Sequence, residues 1–124
     1  MLLLSKYIAK HEYKPNQKYF SIDDLIAGAK KITKGLGKKI SISKKDRSFH
    51  FFKVRIGSKV KGRMIVFFLL ENTKVVPLLI RLKKDKKIGM NMSPENPNVV
   101  SQINKNLDYV IKDIENNNFE EFEI

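Results

Sequence analysis

Lys53 and Arg55 alternate along one β-prone stretch, and Arg63 opens the next one directly after Gly62. On a strand, alternate residues share a face, so Lys53 and Arg55 point the same way, with Phe51 beside them. Fixed cations so arranged can orient a phosphodiester and stabilise the charge that builds as an RNA 2′-hydroxyl attacks it. The chain has four arginines, Arg47, Arg55, Arg63 and Arg81, all within or beside the strand region. In a lysine-rich chain these positions invite the planar, bidentate recognition that an ammonium cannot provide. Arg63, Arg55 and Lys53 are therefore the candidate catalytic group. Ion pairing, for Arg63 with Asp46 or a tail glutamate, is the competing reading.

A second group of cations reads as an RNA-binding surface or as solvated turns. Arg81, Lys83, Lys84, Lys86 and Lys87 cluster at the exit of the last apolar stretch, and Lys59 and Lys61 sit in a glycine-bounded connection. That connection, residues 57–62, lacks the spacing of a phosphate-binding loop and the helix that should follow it. His50 falls on the strand face opposite Lys53 and Arg55 and reads as a packing residue. His11 lies in a segment without clear periodicity. No histidine metal cluster or paired-carboxylate site emerges, so chemistry here rests on lysine and arginine with no cofactor and no metal.

The chain has 124 residues, enough for one core without disulfides, and no cysteine, which excludes thiolate metal sites and cysteine nucleophiles. Its formal net charge is +12, and the distribution is uneven. Up to Pro94 there are 23 basic residues against 6 acidic ones, and from Glu95 onward 2 against 7. A basic body suits a polyanion, whose counterions it displaces. No apolar run approaches a membrane span, and Met1 to Leu4 is too short for a signal segment, so a cytoplasmic protein without a membrane partner is expected.

Three consecutive strands are expected between Phe49 and Met92 to carry these side chains: residues 49–56, 63–70 and 75–82, joined as an antiparallel meander. Ser21 followed by Asp23 and Asp24 marks a helix start, Ile22, Leu25, Ile26, Ala29 and Ile32 keep helical spacing, and Gly35 ends the run. Ile40 and Ile42 suggest a short edge strand. Val99 to Ile114 carries an apolar stripe at three- and four-residue steps, a second helix expected to cover one sheet face. Met1 to Tyr13 is read as a first strand and Lys14 to Gln17 as a turn. The expected fold is α+β, a small, mostly meander antiparallel sheet packed against N- and C-terminal helices. Residues 1–118 form a single domain, and 119–124 an acidic, solvated tail that could partly shield the basic face.

The order of parts, with Gly62-Arg63-Met64-Ile65-Val66-Phe67 as its sharpest piece, resembles the RelE/ParE superfamily of small toxins from bacterial toxin–antitoxin systems over residues 21–92. The resemblance implies a metal-independent mRNA endoribonuclease acting on the ribosome. It implies that Arg63 contacts the scissile phosphate, that Lys53 and Arg55 hold or activate the RNA backbone, and that Lys83 or Lys84 is the lysine leaving the last strand. It also implies a cognate antitoxin as partner. Where that ribonuclease branch carries an arginine and then a tyrosine or histidine, this chain has Asp85 and Met90 or Asn91. That difference supports a second reading, a non-catalytic RNA- or protein-binding member of the same fold.

Overall fold

The computed structural model describes residues 1–41, 50–69, 74–84, 93 and 95–124. Arg47, Lys86 and Lys87, together with Asp85, Met90 and Asn91, lie outside the described residues. The fold is α+β, with strands β1 (Leu2–Ser5), β2 (Lys38–Ile40), β3 (His50–Ile56), β4 (Gly62–Leu69), β5 (Lys74–Leu82) and β6 (Phe119–Phe122). The helices are α1 (Lys6–Ile8), α2 (Ile22–Thr33) and α3 (Pro97–Glu115).

The expected meander is present, as β3 pairs antiparallel with β4 and β4 with β5. The sheet around it is larger than expected and mixed rather than antiparallel, with six strands in the order β2-β3-β4-β5-β1-β6. β1 runs parallel to β5, and β6 returns antiparallel to β1, pairing Leu2 with Phe122 and Ser5 with Phe119. The acidic end is therefore an edge strand and not a solvated tail, and Glu121 is tied to Lys74 at 3.1 Å.

The first strand is also shorter than its apolar residues suggested. All four of its residues are buried between β5 and β6, so no alternation marks it. Ser5 ends the strand by accepting a hydrogen bond from the Ile8 amide at 3.2 Å, and the chain turns helical at once. Behind α1 comes a π turn over Ala9–Tyr13 and a 3-10 turn over Lys14–Asn16, the latter where proline and asparagine promised a turn. Tyr7 stacks on Tyr109 of α3 with centroids 4.2 Å apart, and Asp113 accepts from the Tyr7 amide at 2.7 Å.

α2 begins with a reciprocal capping box: Ser21 Oγ accepts from the Asp24 amide and Asp24 Oδ2 from the Ser21 amide. It ends at Gly35, whose φ of +76° suits the left-handed residue after a helix, while the Leu36 amide bonds back to the Lys31 carbonyl. Gly28 lets the helix approach the sheet face formed by Val54, Ile56 and Met64. α3 starts on the Asn96 cap and ends at Glu115, and two residues on Asn117, with φ of +56°, reverses the chain into β6.

Both faces of the middle of β4 are fully buried, Met64 and Val66 on one and Ile65 and Phe67 on the other, as a central strand requires. Pro77 is tolerated in β5, which has neighbours on both sides, because a register shift falls there: Ile65 pairs with Leu79 but Val66 with Pro77. The intervening Leu78 offers its carbonyl to the buried Asn106 of α3 at 2.7 Å. Among the described residues, no helix is long and apolar enough to cross a membrane.

Candidate nucleic-acid interface

The ladder of the meander decides which cations meet. Arg55 lies opposite Arg63, and Arg63 opposite Arg81, so three arginines form one row across β3, β4 and β5. Directly paired residues share a face with Cβ atoms roughly 4.5–5.5 Å apart, and like charges so placed oppose folding. One step along, Lys53 pairs with Lys38 of β2 on one side and with Ile65 on the other. Four elements thus converge their cations on one end of the sheet.

Between them lies a groove of about 620 Å³ lined by Lys31, Leu36, Lys38, Lys53, Val54, Arg55 and Arg63, with Ser93 and Glu95 from the approach to α3. The predicted catalytic group, Lys53, Arg55 and Arg63, is brought together here. Lys31 and Lys38 were missed as site residues. Lys31 reads from sequence as a cation suited to the end of a helix, yet its ammonium reaches across to the Arg55 carbonyl at 3.3 Å. Only the pairing of β2 with β3 carries Lys38 to Lys53. Glu95 is the acidic side chain lining the groove among the described residues.

The electrostatics single out one member. The Lys53 ammonium is held below the usual lysine range, first by partial desolvation and then by the positive charges of Lys38 and Arg63. A lysine so placed is easier to deprotonate and better suited to exchange protons with a ligand.

The second group separates. Arg81 belongs to the arginine row by register, but its guanidinium is clamped by Glu12, with Nη2 to Oε2 at 2.8 Å and Nε to Oε1 at 3.0 Å. Arg81 is thus an ion-pair partner of Glu12 within the fold. Lys61 and Lys83 line a smaller hollow of about 210 Å³, which shares Lys31, Arg55 and Arg63 with the main groove. Lys59 and Lys84 lie farther along, beside Lys61 and Lys83.

His50 and His11 do not line the groove. His50 starts β3, six residues before Ile56, and shares the face of Phe52 and Val54 as alternation requires. His11 packs against Tyr7, with centroids 4.4 Å apart. Among the described residues, no three His, Asp or Glu side chains cluster as metal ligands would. β6 sits at the sheet edge opposite β2, three strands from β4, or roughly 14 Å. Its glutamates therefore do not cover the groove as a shielding tail would. Set beside known protein families, curated proteins and solved structures, the chain matches none of them.

Proposed function

We propose that this chain is a toxin-like protein of the RelE/ParE kind, acting on mRNA, in the ribosome, as a metal-independent endoribonuclease. The observation that carries the reading is the direct pairing of Arg55 with Arg63 beside Lys53 and Lys38. Such a cluster opposes folding, and a polyanionic ligand offsets the repulsion. In this reading Arg55 and Arg63 grip the scissile phosphate and stabilise its developing charge. Lys53, whose pKa is lowered, takes the 2′-hydroxyl proton in its uncharged form as that oxygen bonds to phosphorus and the P–O5′ bond breaks, leaving a 2′,3′-cyclic phosphate and a 5′-oxygen that is protonated by water. An antitoxin would neutralise the same groove with acidic side chains.

A second reading, a non-catalytic RNA- or protein-binding member of that fold, is favoured by the groove's lining, which among the described residues holds neither histidine nor tyrosine. Tightly controlled expression of the chain alone separates the two. Growth arrest with new, in-frame mRNA ends, relieved by a folded Arg63→Ala protein, supports the ribonuclease. Undiminished toxicity of that variant would sink the catalytic assignment, and normal growth with intact message moves the reading to binding alone.

A further inference from the structure

Beyond the smaller hollow the cationic track runs into a surface of different character. Tyr19, Val60 and Leu82 form the apolar part of a depression of about 660 Å³. Lys59, Lys61, Lys83 and Lys84 surround it. Its walls are held by the fold: the Lys83 amide donates to the Lys61 carbonyl at 3.1 Å, and Phe20 packs behind Gly57 and Gly62. Lys18 stands 5.1 Å from the centre of the Tyr19 ring. Val60 stays 37% exposed in a connection otherwise made of glycine, serine and lysine, a position where solvation alone would not select valine.

The depression is continuous with the candidate interface. It shares Lys61 and Lys83 with the smaller hollow, which in turn shares Arg55 and Arg63 with the main groove. A ligand lying along this track needs anionic groups in register with the cations and a flat apolar group at the end. A single-stranded nucleic acid supplies both from each nucleotide, and its bases stack on aromatic side chains. The volume lies within the range of small-molecule pockets and admits a base with its sugar.

We propose that this depression is a nucleobase pocket: RNA phosphates follow Arg55, Arg63, Lys61 and Lys83, and one base turns onto Tyr19, Val60 and Leu82. The inference rests on the RNA reading above and adds to it a base-binding subsite outside the catalytic group.

Anisotropy titrations of the full chain with a short single-stranded RNA, and with an abasic strand of the same length and charge, test it. The intact RNA should bind roughly 5- to 100-fold more tightly than the abasic strand. Val60→Lys, which adds charge while filling the pocket, should erase that preference without weakening the abasic strand. Equal affinity for both strands, falling steeply with salt, overturns the pocket and leaves the phosphate track. Absence of salt-dependent binding to either strand overturns the RNA reading and the pocket with it. Displacement by an acidic peptide, with no preference for RNA over abasic strand, makes this a peptide site and also overturns the proposal.

Discussion

Glu12 is the residue whose loss should be felt most widely, because it completes the sheet where β1 stops. After Ser5 the chain leaves β5, and the backbone of Ile80 is met by side chains. Glu12 Oε1 accepts from the Ile80 amide at 2.9 Å, and Asn16 Nδ2 donates to the Ile80 carbonyl at 2.9 Å. The same carboxylate takes two hydrogen bonds from Arg81, so Glu12→Ala removes three acceptor contacts at once. Glu12 is 2% exposed and Arg81 19%, so water replaces little of what is lost.

Breaking one side of such a pair costs about 3–5 kcal/mol. That is a large share of the 5–15 kcal/mol, roughly, that holds a domain folded. For a chain of this size it corresponds to a fall in Tm of roughly 10–20 °C. Glu12→Gln retains an oxygen for the Ile80 amide and should lose less. Arg81→Met should destabilise as well, and the double variant Glu12→Leu/Arg81→Met should recover part of the loss, since no buried charge is left alone. Thermal melts followed by circular dichroism measure all four. RNA titrations of the folded variants give the functional counterpart: Arg81→Met should bind RNA as the parent does, its charge being balanced in place. An Arg81→Met protein that melts at the parental temperature yet loses RNA binding would refute the argument and return Arg81 to the ligand.

Two further outcomes follow from the site and its supports. Lys53 has its folded-state pKa below the unfolded one, so its charged form penalises the fold at neutral pH, and the penalty lifts as pH rises between the two values. Lys53→Met should therefore stabilise the protein at pH 7 by denaturant unfolding, with a gain that shrinks toward the usual lysine pKa; an equal gain at both ends contradicts the assignment. At Gly62 an added methyl group would collide with the fully buried Phe20 ring and press on the Arg81 carbonyl. Gly62→Ala should cost about 1–3 kcal/mol by overpacking, and a melt unchanged from the parent would show that the Phe20 ring and the Arg81 carbonyl yield freely.

What the chain carried locally was legible as sequence. Alternation placed Lys53 and Arg55 on one face, the Ser21 to Asp24 cap and Gly35 bounded α2, and the three strands of the meander fell within a residue or so of their observed limits. These features arise from interactions within a few residues, which turn, cap and period rules describe directly. The apolar stripe of α3 was legible for the same reason.

Contacts between distant segments were decided by the tertiary structure. The length of β1 was hidden because a strand buried on both faces shows no alternation, and the pairing of β6 with β1 joins residues from opposite ends of the chain. Lys31 and Lys38 entered the groove only through the docking of α2 and β2 beside β3. Arg81 shows the limit most clearly. Its type and place in the row are shared with Arg63, yet Glu12, far away in sequence, takes one guanidinium and leaves the other in the groove. Sequence sets which charges a strand presents and on which face. Which of them are neutralised depends on the partners that folding brings within a hydrogen bond's reach.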